Sequence, residues 1–194
     1  MKPMDHEIQT QQVFRTIMRA MGYPGTIHRL LNHPSHKTRT SSLQLVAETL
    51  FDQDVTFCVI GDQGMRELED ILHKLTNCPV TEPSLADFLV MTSPASGGKL
   101  LTAKTGIPEY PDHGATVLFS VESLADGSAS DFLVRLTGPG ILGEKYIQIQ
   151  GLDREELCHL RELNSGYPLG IDSIFIDQQG CIMCIPRTAK IQLR

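Results

Sequence analysis

The sequence predicts an α/β protein, a three-layer α/β/α sandwich built on a mixed sheet. Three observations carry this expectation. The runs "VTFCVI" (55–60), "ADFLVM" (86–91) and "ATVLFSV" (115–121) are apolar at successive positions, as strands buried on both faces are. Amphipathic helical stretches fall between and around them. A closing hairpin and the 131–150 region require antiparallel pairing beside the parallel strands. The 194 residues suit one domain, 1–194, with no linker, internal repeat or low-complexity segment.

Taken in order, "TQQVFRTIMRAM" (10–21) places Val13, Phe14, Ile17, Met18 and Met21 on one helical face. Gly22 and the Pro24-Gly25 turn should end that helix. "TIHRLL" (26–31) reads as a short strand and "NHPSHKTRT" (32–40) as a polar loop. Ser41 or Ser42 is placed to cap a helix over "LQLVAETL". "MRELEDILHKL" (65–75) is an amphipathic helix. Residues 92–114 read as loop with at most one helical turn. "DFLVRL" (131–136) is a strand broken by "TGPGI". "KYIQIQ" (145–150) alternates, as a half-exposed strand does. "DREELCHLREL" (153–163) is a helix opened by Asp153.

The chain closes on two strands joined by "DQQG". A three-residue loop with Gly180 left-handed sets Asp177 opposite Cys181, Phe175 opposite Met183 and Ser173 opposite Ile185. Asp172 then faces Pro186, and Arg187 lies one step beyond, within reach of Asp172. Two readings stay open for this pair. It is an ion pair that finishes a sheet edge, or Asp172 orients Arg187, whose planar fork suits phosphate or carboxylate.

Composition excludes several classes. No apolar run approaches the ~20 residues of a membrane helix, and "MKPMDHEIQTQQVF" has no secretory apolar core. Five cysteines without such a segment fit free thiols in a reducing cytoplasm. The net charge of −6 argues against general nucleic-acid binding. Charge is uneven, however: six Lys/Arg against Asp5 and Glu7 give residues 1–40 a net +4 and leave −10 for the remainder. That segment is a solvated basic arm or one that meets an acidic partner or an anionic ligand.

The motifs for chemistry are sparse. Cys181 and Cys184 are three apart on a strand and point to opposite faces, so "CIMC" does not hold a zinc ion. In "SPASGGKLL", Ser93 stands where a phosphate loop has its first glycine and Lys99 is followed by Leu100, so the motif fails twice. His28, His33 and His36 cluster beside Lys37 and Arg39, which favours solvated histidines over a metal site. There is no Gly-x-Ser-x-Gly elbow and no nucleophile beside an evident base. "LTGPGI" (136–141) makes either a tight turn or a close backbone approach to a ligand or partner.

Four stretches together, "VFRTIMRAMGYPGTI" (13–27), "RLTGPGI" (135–141), "YPLGIDSIF" (167–175) and "IPRTAKI" (185–191), resemble the PhnH family, the H subunit of the bacterial carbon–phosphorus lyase core complex. "TGIPEYPDHGAT" (105–116) adds to the resemblance, and residues 28–104 match less closely. The matching positions are Arg15, Met21, Pro24 and Gly25; Arg135, Thr137, Gly138 and Gly140; Pro168, Gly170 and Asp172; and Pro186, Arg187 and Thr188. The resemblance implies a fold like a trimmed pyridoxal-phosphate-dependent transferase without the cofactor or its Schiff-base lysine, so neither Lys99 nor Lys104 takes that role. It implies a homodimer that joins the G, I, J and K subunits in phosphonate catabolism. There the I subunit exchanges the adenine of MgATP for a phosphonate at the ribose carbon, with G and H in support. No cofactor, metal, nucleic acid or membrane partner is expected.

The ligand- or partner-binding candidates are Arg15, Arg135, Thr137, Gly138, Gly140, Gly170, Asp172, Arg187 and Thr188, with no catalytic residue among them. Asp172 and Arg187-Thr188, joined by Arg135, are expected to shape one sheet end into a cleft or subunit contact. Three functions compete: a non-catalytic assembly subunit; a direct contributor to an anionic site for triphosphate or phosphonate, at a subunit interface; and an independent small-molecule enzyme.

Overall fold

The computed structural model describes residues 3–30, 39–61, 64–127 and 133–193. Its largest sheet has six strands in the order β1 (His28–Arg29), β11 (Cys181–Ile185), β10 (Asp172–Ile176), β6 (Thr116–Ser120), β3 (Phe88–Met91), β2 (Phe57–Ile60). From β10 to β2 every pairing is parallel; β11 and β1 add antiparallel neighbours at the other edge. The mixed sheet therefore has the expected composition. The hairpin register also agrees, with Phe175 opposite Met183 and Ser173 opposite Ile185. Gly180 sits at φ +79°, a left-handed conformation that costs glycine little.

The period of two divides the sheet between two cores. Phe57, Val59, Val90, Leu118, Ile174, Ile176, Ile182 and Cys184 face the helices α1 (Pro3–Gly22), α2 (Arg39–Leu50) and α3 (Met65–Thr76). Cys58, Ile60, Leu89, Met91, Val117, Phe119, Phe175, Met183 and Ile185 face the opposite way. This second face is where the structure departs from an α/β/α sandwich. Among the described residues one α-helix, α4 (Arg154–Leu163), covers it beside the helical turn Lys99–Thr102, and an antiparallel sheet completes the layer. That sheet runs β12 (Lys190–Leu193), β8 (Val134–Thr137), β9 (Lys145–Gln150), β7 (Ser123–Asp126). Val134, Leu136, Ile147, Ile149 and Ile191 are its inward residues, and Leu157 and Leu160 are those of α4. A strand that alternates apolar and polar residues can serve as a cover as well as a helix can, since only one of its faces needs burial.

Other elements differ from expectation. In α1 the buried face is Val13, Ile17 and Ala20 with Gln9, while Phe14 is 47% and Met18 57% exposed. Ala20 lets the helix pack close to its neighbours, which turns the stripe away from the larger side chains. The helix ends at Gly22 as the sequence predicts, and the turn beyond it has Gly25 at φ +77°. Helix α2 begins at Arg39, so Ser42 lies inside it rather than capping it. Its hydroxyl is buried without a hydrogen-bond partner. Asp153 precedes α4 as read, but its side chain makes no capping hydrogen bond. Residues 92–114 contain a helical turn (Lys99–Thr102) and also a hairpin, β4 (Thr105–Ile107) and β5 (Tyr110–Gly114), which the sequence did not signal. Strands β7 and β12 were missed for the same reason: each is short, and its pattern is polar or broken.

Two polar contacts fasten this framework. Glu156, 1% exposed on α4, accepts hydrogen bonds from the backbone N–H (2.7 Å) and hydroxyl (2.8 Å) of Ser96. This holds the 93–102 segment against the helix and satisfies a carboxylate that would be costly to bury alone. Asp87, at the entry to β3, accepts from the N–H and hydroxyl of Thr56, both at 2.8 Å, and pairs with Lys104. Burial pushes the Asp87 carboxyl up, but the donors from Lys104 and Thr56 outweigh burial and hold it below its ordinary value.

Two predictions follow from these groups. Ser42→Ala removes an unpaired buried hydroxyl from a helix interior, so chemical denaturation should show stability raised by about 1 kcal/mol. A depressed carboxyl stabilises the fold above its unfolded-state value of 3.8 and loses that contribution as pH falls through the folded-state value. Urea midpoints measured from about pH 5 to about pH 3 should therefore fall less steeply in Asp87→Asn than in the unaltered protein.

Candidate functional site

The polar end of the large sheet is built by three chain reversals that meet at one guanidinium. Asp172 opens β10, and its N–H donates to Ala115 O (3.1 Å). Pro186 ends β11, and Arg187 follows it directly. The Arg187 N–H donates to Asp172 Oδ1 at 2.8 Å, and its Nε and Nη2 donate to Oδ2 at 3.1 and 2.7 Å. Arg187 Nη1 donates to Pro111 O in β5, and Nη2 lies 3.5 Å from Gly114 O. The guanidinium is thus directed at its own chain, joining β10, β11 and the β4–β5 hairpin. With side chains 13% and 26% exposed, the pair is largely withdrawn from water. Of the two readings the sequence left open for Asp172, this geometry carries the structural one furthest, because few guanidinium donors remain for a ligand.

Glycines close the packing around this contact. Gly170 lies at φ +145°, and a Cβ there would strike Asn164 Oδ1, which accepts the Ile171 N–H at 2.8 Å. A Cβ on Gly114 would meet the Gly170 carbonyl and Arg187 Nη1. Gly138 and Gly140 also have positive φ, +135° and +79°. A Cβ on Gly140 would run into the Gly22 carbonyl and the Pro24 ring. The "LTGPGI" loop is therefore a close backbone approach within the same chain, to the end of α1 at Gly140 and to the Thr188–Ala189 backbone at Gly138.

Beside the Arg187 contact opens a pocket of about 670 Å³, within the usual range for small-molecule sites. It lies between the end of α4, the turn after β11, and β12. Arg161, Asn164, Ser165 and Tyr167 line one side; Arg187, Thr188, Ala189, Lys190, Ile191 and Gln192 line another, with Pro139 at the rim. Among the described residues that line it are three cations and no carboxylate, and Asp172 pairs with Arg187. Among the described residues no ion pair is recorded for Arg161 or Lys190. The arrangement can hold an anionic group between Arg161 and Lys190, with an apolar or ring portion against Tyr167 and Ile191.

Of the sequence-predicted residues, Asp172, Gly170, Arg187 and Thr188 come together here. Arg135 does not join them. Its Nε donates to Glu144 (2.6 Å) and its Nη1 to Gln192 (2.7 Å) on the outer face of the second sheet, so it touches the pocket only through Gln192. Gly140 belongs to the contact with the end of α1, whereas Thr137 pairs with Lys190 and Gly138 lies against the Thr188–Ala189 backbone. Arg15 lies on α1, in a separate cleft with His28. His33, His36 and Lys37 lie outside the described residues. Among the described residues no cluster of three potential metal ligands occurs. Cys184 is buried on the helix side, where desolvation pushes its thiol strongly up, so it is an inert core thiol. Sequence reasoning missed Arg161, Asn164, Tyr167 and Lys190. None carries a signal: a basic residue in a helix's last turn and a lysine on a terminal strand are commonplace.

The Arg187 contact makes a direct prediction. Arg187→Ala deprives Asp172 of two side-chain donors, leaving it only the backbone N–H of residue 187, and frees the Pro111 and Gly114 carbonyls. Stability should fall by about 2–3 kcal/mol, near the lower end for breaking a buried pair. Amide exchange should accelerate chiefly over 105–114, and Arg187→Lys should restore little because one ammonium cannot span both partners.

Comparison with known proteins places the chain. The family model described as "Bacterial phosphonate metabolism protein (PhnH)" matches residues 4–192. HtxG of Stutzerimonas stutzeri, a candidate C-P lyase subunit, is 32% identical over 186 residues, 95% of this chain and 86% of HtxG. The alpha-D-ribose 1-methylphosphonate 5-triphosphate synthase subunit PhnH of Rhizobium meliloti (strain 1021) is 28% identical over 193 residues, 97% of this chain and 92% of that protein. A match that runs from the first turn of α1 to the last strand, through the Asp172–Arg187 contact, makes this chain a member of the PhnH family.

Proposed function

We propose that the chain is a subunit of the carbon–phosphorus lyase core complex in phosphonate catabolism. In this reading it supports, without catalysing, the transfer of a phosphonate to the ribose C1 of ATP with release of adenine. The observation that carries the reading is the extent of the match to HtxG and to the Rhizobium synthase subunit, nearly end to end in each case. The use of Arg187 as an internal tie rather than a reactive group agrees with a supporting role. The same proposal includes a single domain, a homodimer, a cytoplasmic location and G, I, J and K subunits as partners. It includes a fold related to pyridoxal-phosphate-dependent transferases that works without the cofactor. No helix among the described residues is long and apolar enough to cross a membrane.

One observation favours a second reading, in which the subunit contributes directly to an anionic substrate site. The pocket beside Arg187 presents Arg161 and Lys190 with no carboxylate in its lining. A phosphonate or a nucleotide phosphate would satisfy both cations.

Co-expression of the tagged chain with the G and I subunits, followed by mass determination, tests the first reading. A stoichiometric complex is expected, and the isolated chain should release no adenine from ATP and a phosphonate. A chain that recruits nothing overturns the assembly role; adenine release by the chain alone overturns the non-catalytic one. The Arg161→Ala/Lys190→Ala variant separates the two readings. Under direct contribution it assembles normally but lowers turnover of the complex about tenfold or more. Under pure support, turnover is unchanged.

A further inference from the structure

A second cleft, far from Arg187 in the chain's architecture, gathers the basic residues of the N-terminal segment. It occupies about 280 Å³ between α1 and β1 and is lined by Gln12, Arg15, Thr16, Arg19, His28 and Arg29. Gln12, Arg15, Thr16 and Arg19 share one face of α1 through their three- and four-residue spacing. Arg29 comes from β1, the edge strand, where it lies opposite Cys181. Every lining side chain is polar, three are guanidinium groups, and none is a carboxylate.

Among the described residues these cations have no ion-pair partner. The ion pairs among the described residues involve Arg135, Arg187, Lys104, Lys145 and two histidines, but not Arg15, Arg19 or Arg29. Asp177, whose N–H bonds the Cys181 carbonyl opposite Arg29, has its Oδ1 already accepting the N–H groups of Gln179 and Cys181, both at 2.8 Å. Residues 31–38, which lie outside the described residues, contain no acid in sequence. Like charges are thus brought together on two separate elements of an acidic protein. His28 registers the result: burial, and then the Arg19 charge, hold its imidazole below its ordinary value. Its Nε2 lies 2.8 Å from Thr26 Oγ1, which fixes the ring at the cleft wall.

We infer that this cleft is a binding site for a phosphate-class anion, held between the Arg15 and Arg19 guanidiniums of α1 and Arg29 of β1. Planar forks converging from two elements suit a tetrahedral oxyanion, which can accept bidentate bonds from more than one of them. The volume suits a small anion rather than a bulky cofactor. The site is independent of the pocket at Arg187 and of the subunit assignment.

The His28 ring supplies the readout. Orthophosphate and tripolyphosphate are titrated into the intact protein at low salt while the His28 imidazole is followed by NMR. Binding should saturate, raise the His28 pKa by relieving the Arg19 repulsion, and weaken as salt rises. Arg15→Gln and Arg19→Gln should each weaken binding about tenfold, the loss of one charge-assisted contact, whereas Arg66→Gln on α3, with the same change in net charge, should leave it unchanged. Tripolyphosphate binding with orthophosphate silent assigns the cleft to a polyphosphate tail; equal binding assigns it to a single phosphate group. The inference is overturned if neither anion moves His28, if the Arg15 and Arg19 variants bind as well as Arg66→Gln, or if polyglutamate shifts His28 while both phosphates do not. Because the measurement uses the isolated chain, it stands or falls apart from complex assembly.

Discussion

Burial of the six-stranded sheet on both faces is the constraint from which the rest of this structure follows. Leu118 in β6 points to the helices and Val117 and Phe119 point away, and every one is fully or nearly fully buried. Such a sheet needs a cover on each side. Helices α1 to α3 supply one. The other is divided between α4 and a four-stranded antiparallel sheet whose outer face stays in water. The division leaves a seam where the end of α4 meets β12, and the pocket beside Arg187 opens there.

The Asp172–Arg187 contact then decides how the ends of this sheet are finished. Parallel strands need long connections, and these return at the same edge. One guanidinium ties β10, the turn after β11 and the β4–β5 hairpin together. Removing its donors would leave a partly buried carboxylate and two carbonyls seeking water. This structural task accounts for the pairing of the two residues within the motif stretches. Arg161 and Lys190 line the pocket at this end, and among the described residues neither is in an ion pair.

The family's glycines show the same economy. Gly140 lets its loop reach the end of α1, and Gly170 lets the chain pass Asn164 on its way into β10. At Gly140 the close neighbour is the Gly22 carbonyl; at Gly170 it is the side chain of Asn164. The N-terminal cleft is different, since its arginines make no ion pair among the described residues. Side chains that hold the fold together find partners within it, and those that do not are the ones with donors to offer a ligand.

The sequence by itself determined the buried strands, the terminal hairpin register and the meeting of Asp172 with Arg187. These rest on local rules: alternation along a strand, a turn fixed by Gly180, and pairing that counts outward from it. The motif stretches also carried the family. Only the tertiary structure decided which face of α1 is buried, because Ala20 outranks Phe14 and Met18 once close packing rather than side-chain size sets the contact. It alone showed that a second sheet replaces helices on one face, and that Arg135 turns outward to Glu144 and Gln192. It alone brought Arg161, Tyr167 and Lys190 around one pocket, and Arg15 and Arg19 up to Arg29. Such groupings join residues distant in sequence or lying on different elements, and no local pattern records which exposed side chains will share a cleft once the layers have docked.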